Sequence, residues 1–282
     1  MSAPAGGELA GRVAIVTGAA GGLGRGIAAR FAAEGARVVV ADRNAEAGKA
    51  AAEAIGPAAL FRAVDVASPE EVRDLVEFAV AECGGLHVMV NNAGVSGTMH
   101  ASFLDDDLTD FHQVMSVNVL GVLAGTRYAA RHMATAGGGS IINVSSIGGL
   151  NSGRSVITYR ASKAAVIHAS KSAAVSLAEH DIRVNCIAPG NIRTTLLADS
   201  LAGQAEADAR EAATRRVMAA MRPLRREGTA ADVAEAALYL AGDRSRYLTG
   251  VVLPVDGGSA AGSGVNMMQL ALGQQPAQGP PG

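Results

Sequence analysis

Seven short apolar runs punctuate the chain, at residues 13–17, 37–41, 59–64, 86–90, 140–144, 183–187 and 251–254. They are rich in β-branched residues and bounded by Gly, Asp or Asn, which predicts strands. Several show no apolar–polar alternation, as expected of strands covered on both faces. Between them, apolar positions recur at helical spacing near 22–34, 44–55, 69–82, 108–134, 157–179 and 230–241. Strands separated by helix-length segments predict right-handed crossovers and a parallel sheet. The expected architecture is one doubly wound α/β domain over about residues 8–260, preceded by a flexible start at 1–7. Residues 195–225 are Ala/Arg-rich and helical, follow a strand end, and are expected to cover a crevice as a lid. The last ten residues of the extension 261–282 are rich in Gln, Pro and Gly, which predicts disorder there. Its apolar island, 265–272, is open to docking on this subunit or on a neighbour.

Composition narrows the class. Hydrophobic residues make up 49% of the 282 and charged residues 18%, which excludes general disorder. A net charge of -2 gives no argument for a nucleic-acid partner. No long apolar run is free of charges or breakers, so no membrane span is expected. The first residues do not read as a signal peptide. Two cysteines, Cys83 and Cys186, both in apolar surroundings, fit a reduced, cytoplasmic setting.

Candidate chemistry begins at the first turn. Gly18, Gly22 and Gly24 form a GxxxGxG pattern between an apolar run and a helical one. Glycines there permit a tight turn and expose backbone N–H groups, and the helix start favours a pyrophosphate. Asp42 ends the second strand, where a carboxylate can accept from ribose hydroxyls and repel a 2′-phosphate. Arg43 works against that preference, but Asp42 stands first, so NAD is favoured over NADP. Asp65 and Val66 follow the third strand and are open to two readings, adenine contact or a plain helix cap. Asn91, Asn92, Ala93 and Gly94 end the fourth, small enough for a cofactor to approach the backbone.

Tyr159 and Lys163 lie one helical turn apart on one face. A free phenol, with a pKa of about 10, is a poor base near neutrality, and a nearby ammonium lowers that value. Tyr159 is then a candidate general acid/base, and Lys163 a second cofactor ligand. Ser145 and Ser146 end the fifth strand, and either hydroxyl can polarise a substrate oxygen. No Gly-x-Ser-x-Gly elbow surrounds them, which argues against a serine nucleophile.

Together these pieces resemble the classical short-chain dehydrogenase/reductase family. The matching residues are Thr17-Gly-Ala-Ala-Gly-Gly-Leu-Gly24, Asp65, Asn91-Asn92-Ala93-Gly94, Asn118, Ser146, Tyr159-x-x-x-Lys163, Pro189-Gly190-x-Ile192-x-Thr194 and Asp256-Gly257-Gly258. The resemblance implies a single Rossmann-like domain with a seven-stranded parallel sheet. It also implies reversible hydride transfer between a nicotinamide cofactor and an alcohol or carbonyl carbon. It assigns the catalytic serine to Ser146, leaves Ser145 in support, and makes Asn118 a helix-kinking residue that holds a water leading from Lys163. It adds Leu23 to the phosphate turn, and Pro189, Gly190, Ile192 and Thr194 to the nicotinamide side. No metal ligand cluster is expected. Four departures stand out, one of them a tail beyond Asp256-Gly-Gly longer than in typical short members. Gly21 replaces a common serine, Arg160 follows the tyrosine where small residues are common, and Asp181 replaces a common glycine after a helix. Arg160 is expected to point away from the Tyr159–Lys163 face.

The substrate pocket is expected from segments 96–100 and 147–157 and from the lid. It includes Ser96, Met99, Asn151, Leu196 and Leu197 beside Ser146, with Met218 and Met221 further out. Arg154 and His100 are each open to a substrate-facing or a solvated reading. The mixture suggests a largely apolar secondary alcohol or ketone, cyclic ones included. Helices 108–134 and 157–179 resemble those of the family's dimer contacts, which implies a homotetramer. Two alternatives remain: an NADPH-dependent ketoreductase of a biosynthetic pathway, and a non-catalytic NAD-binding sensor or scaffold.

Overall fold

The computed structural model describes residues 7–194, 196–203, 206–264 and 271–272. The expected flexible start (all but residue 7), most of the apolar island and the last ten residues lie outside the described residues. Seven strands form one sheet: β1 Val13–Thr17, β2 Arg37–Asp42, β3 Ala59–Ala63, β4 Val88–Asn91, β5 Gly139–Val144, β6 Ile182–Pro189 and β7 Val252–Val255. All six pairings are parallel, in the order β3-β2-β1-β4-β5-β6-β7. The order reverses between β1 and β4, and in such sheets the carboxyl ends at the reversal form the ligand crevice.

The uninterrupted apolar runs have a direct cause. Ala14, Val16, Val38 and Val40 point to one face and pack with Ile27, Phe31 and Leu238. Ile15 and Val39 point to the other and pack with Leu75, Ala129 and Met133. The helices behind the first face are α1 Gly22–Ala33, α2 Ala45–Ile55 and, as numbered here in chain order, α9 Ala230–Ala241. Behind the second lie α3 Pro69–Cys83, α4 Phe111–Met115, α5 Gly121–Met133 and α6 Ile157–Leu177. Among the described residues, no helix is long and apolar enough to cross a membrane.

Two helical expectations change in detail. The helix expected over 108–134 begins at Phe111 and is interrupted by a π-helical turn, Ser116–Leu120, with Asn118 at its centre. The lid is two helices, α7 Leu196–Leu201 and α8 Ala207–Met221. Asp181 does occupy the left-handed turn that glycine prefers, with φ 55° and ψ 29°.

Beneath the sheet's carboxyl edge runs a buried polar chain. Asn91 Nδ2 donates to Asn143 Oδ1 at 2.8 Å, and Asn143 Nδ2 donates to the Ser170 hydroxyl at 2.9 Å. Gly125 of α5 lies flat against it. An added Cβ would overlap Asn91 Oδ1 and stand 2.9 Å from Met89 Cε. Gly125→Ala gains helix propensity of about 1 kcal/mol. Overpacking and the displaced amide cost more, so the variant is expected to lose about 2 kcal/mol net. Urea unfolding of parent and variant measures this; unchanged stability contradicts the packing described.

Candidate active site

The carboxyl ends of β1, β4, β5 and β6 meet at a cleft of about 750 Å3. Its floor begins with a clamp between two strands. Thr17 Oγ1 accepts from the backbone N–H groups of Asn92 (3.0 Å) and Ala93 (3.1 Å). In return Asn92 Nδ2 donates to the carbonyls of Thr17 and Gly18. Gly24 sits so close that an added Cβ would overlap the Gly18 carbonyl. That contact brings α1 down onto the turn. No side chain caps α1, and Gly21 at its start faces open space. A 12-residue helix with free leading N–H groups behind a glycine turn fits a dinucleotide pyrophosphate.

Asp42 closes the adenosine end. Its two carboxylate oxygens accept from Ala20 N (3.0 Å) and Asn44 N (2.9 Å), fixing the acid at the rim beside Arg43. Asp65 is exposed at the same end, its carboxylate accepting from Ala67 N, with Val66 buried beside it.

The other end is built by β5, α6 and the π turn. Ser146 follows β5 and starts a 3-10 turn, Ile147–Gly149, in which Gly148 N–H donates to Ser146 Oγ at 3.0 Å. That bond occupies a lone pair and leaves the hydroxyl proton free. Ser146 and Tyr159 line the same cleft. Lys163 is 3% exposed; its ammonium donates to the Val144 carbonyl at 3.0 Å and lies 5.7 Å from the Tyr159 ring centroid. Ser145 donates to the Lys163 carbonyl at 2.7 Å, anchoring α6 to the strand end. Asn118 is fully buried. Its Nδ2 donates to Val95 O and Ser162 Oγ, while its Oδ1 accepts from Val95 N. A Cβ on Gly94 would stand 3.2 Å from both Asn118 Oδ1 and Lys163 Nζ, so glycine keeps the three together.

Burial dominates the titration behaviour. It pushes the Tyr159 phenol above its ordinary value, against the opposing pull of the Ser146 hydroxyl and the Arg160 charge. It brings Lys163 down to about 8 and pushes the neighbouring Cys186 thiol up to about 11. In the protein alone, therefore, the sequence-based expectation that Lys163 lowers the phenol's pKa is not met. The opposing groups are Ser146 and Arg160.

Of the residues singled out from sequence, Gly18, Gly22, Leu23, Pro189, Gly190, Ile192 and Thr194 line the cleft, as do Ser96, Met99, Asn151, Leu196 and Leu197. Gly24 and Asn118 stand behind its wall. Arg154 is exposed outside it, and His100 sits 3.9 Å from Asp106, also outside. The lid is tied down by Ser96 Oγ donating to Leu196 O at 3.2 Å and Met99 N donating to Ser200 O at 2.9 Å. Arg160 corrects its expectation: it folds back and lines the cleft. Sequence reasoning also missed Arg215, which donates to the Thr194 carbonyl from α8, and Ser259 and Gly262, which line the cleft beyond the Asp256 turn. The i, i+4 spacing of Glu211 and Arg215 was a usable signal for a fixed guanidinium; nothing marked the returning chain.

A family model described as Enoyl-(Acyl carrier protein) reductase matches residues 18–260. A solved short-chain type dehydrogenase/reductase from Mycobacterium marinum superposes with a TM-score of 0.79 at 34% identity, over 92% of this chain and 99% of that one. The chain belongs to the classical short-chain dehydrogenase/reductase family. Among curated relatives of this short-chain dehydrogenase, (+)-borneol dehydrogenase 2 of Salvia officinalis is 40% identical over 257 residues, 89% of this chain and 90% of the relative. A 2,5-dichloro-2,5-cyclohexadiene-1,4-diol dehydrogenase of Sphingobium indicum is 36% identical, over 90% of this chain and 98% of the relative. Membership makes the protein an oxidoreductase that uses NAD or NADP and acts on alcohols or ketones.

The lysine gives a pH test. In the fold Lys163 releases its proton near pH 8, whereas an unburied lysine holds it to 10.5. Between those values the unfolded chain binds more protons, so stability rises with pH; below pH 8 the burial penalty is present in full. Relative to Lys163→Met, the parent is expected to gain stability from pH 8 to 10.5. Parallel curves in urea unfolding would contradict the buried ammonium.

Proposed function

We propose that this protein moves hydride reversibly between NAD and a largely apolar, cyclic secondary alcohol or its ketone, with Tyr159 exchanging the hydroxyl proton. The observation that carries the reading is that Ser146, Tyr159 and Lys163 line one cleft together with the glycine turn. The nicotinamide, when bound, supplies the hydride acceptor. In oxidation Tyr159, once its own proton has left to solvent, takes the hydroxyl proton as the phenolate. Ser146, its lone pair engaged by Gly148, donates its own proton to the substrate oxygen. Lys163 holds the nicotinamide ribose, and Asn118 fixes the turn through which the proton returns to solvent.

The apolar lining from Leu196, Leu197, Met218 and Met221 supports an apolar substrate, and Asn151 and Ser152 supply a polar edge. The relatives named for borneol and for a cyclohexadiene diol act, by those names, on ring alcohols, which agrees with that lining. The fixed Asp42 carboxylate supports NAD, since it stands where a 2′-phosphate would add like charge. Arg43 at the same rim favours the second reading, an NADPH-dependent ketoreductase.

Two outcomes follow. Tyr159→Phe is expected to lower turnover at least about a thousandfold in a screen of cyclic secondary alcohols read by cofactor absorbance. Cofactor Kd should change little; full activity in the variant contradicts the proton role. The parent is expected to use NAD at least about tenfold better than NADP by kcat/KM, and Asp42→Ala to erode that ratio. A parent that prefers NADP overturns the coenzyme assignment.

A further inference from the structure

Arg160 stands directly after Tyr159, and no acid pairs with it among the described residues. Its Nε donates to the Ser155 carbonyl at 3.3 Å and its Nη1 to the Asn151 carbonyl at 3.2 Å. The loop between those carbonyls wraps the guanidinium closely. A Cβ on Gly153 would stand 2.6 Å from both Cζ and Nη2, and one on Gly148 3.7 Å from Nη1. The same loop ends in two consecutive left-handed residues, Ser155 (φ 59°) and Val156 (φ 43°). For β-branched valine that conformation is costly and needs surrounding structure to hold it. Ile147, Gly148, Asn151, Ser152 and Val156 of this loop line the cleft, as do Leu196 and Leu197 of α7.

We propose that Arg160 is a positioning residue for substrate: its planar fork spans two loop carbonyls and so holds the 147–156 wall against the Ser146–Tyr159 pair. A guanidinium can donate along two fixed directions at once, and an ammonium on a flexible stem does so poorly. The wall, not the glycine turn, depends on this brace, so its loss acts on substrate binding and spares cofactor binding. That substrate-side consequence rests on the dehydrogenase reading above; the loop-holding claim does not.

The experiment compares the full-length parent, Arg160→Lys and Gly153→Ala. Hydrogen exchange is followed on peptides covering 147–160, beside steady-state kinetics with the best cyclic alcohol from the screen. Both variants are expected to exchange about tenfold faster in this segment, with peptides from α1 and α9 unchanged. KM for the alcohol is expected to rise about five- to tenfold, kcat to stay within about threefold and cofactor Kd within about twofold. Parent-like exchange, or parent-like KM, in Arg160→Lys overturns the proposal. So does a rise in KM and cofactor Kd together, which is general loosening of the cleft. An active Tyr159→Phe enzyme sinks the acid/base reading alone and leaves the exchange result standing.

Discussion

A buried ammonium with no carboxylate paired to it among the described residues is the constraint around which the site is arranged. Lys163 has lost nearly all contact with water, and its only described hydrogen bond is to a neutral carbonyl, that of Val144. A neighbouring acidic group, the Cys186 thiol, is itself pushed up to about 11 and stays neutral near pH 7. Burying charge this way costs stability, and folds retain such groups where chemistry uses them. With Lys163 near 8, the ammonium form still prevails at pH 7. The cleft therefore keeps positive charge 5.7 Å from the Tyr159 ring centroid, in a wall that Ser146 also lines.

The sheet delivers this arrangement because its strands run parallel. Parallel pairing places the carboxyl ends of β1, β4, β5 and β6 at one edge, so residues far apart in sequence meet there. Thr17 and Asn92 lock the first two ends together. Ser145 and Lys163 lock β5 to α6. Among the described residues, Ser96 and Met99 bond to α7, Arg215 of α8 reaches back to the Thr194 carbonyl, and Gly264 N–H donates to the Met221 carbonyl at the end of α8. The lid's α8 buries none of its residues fully, in contrast to α1 and α9. Few buried apolar contacts are the mark of an element that opens at low cost.

Much of this was legible in the chain. Strands covered on both faces announce themselves as unbroken apolar runs, so the expected strand limits agree closely with those of the sheet. The glycine turn and the Tyr159–Lys163 pair are local patterns, readable because their geometry is fixed by neighbours in sequence. What escaped depends on distant contacts. The kink at Asn118 was expected only through the family resemblance, since the π turn accompanies the grip of Asn118 on Val95 and Ser162. The fold-back of Arg160 depends on carbonyls five and nine residues away in a loop with two left-handed residues. The rise of the phenol's pKa depends on how deeply the whole cleft buries it, and the pattern YxxxK carries no information about depth.

The most direct test of the central claim is a titration of the Tyr159 phenol itself. Carbon NMR of ring-labelled tyrosine, assigned with Tyr159→Phe, follows it with and without saturating oxidised nicotinamide nucleotide. In the protein alone the phenol is expected to titrate above its ordinary value of about 10. On addition of the cationic nucleotide it is expected to move down toward neutrality. A phenol that titrates at its ordinary value in the free protein, or that does not respond to the nucleotide, would contradict the account.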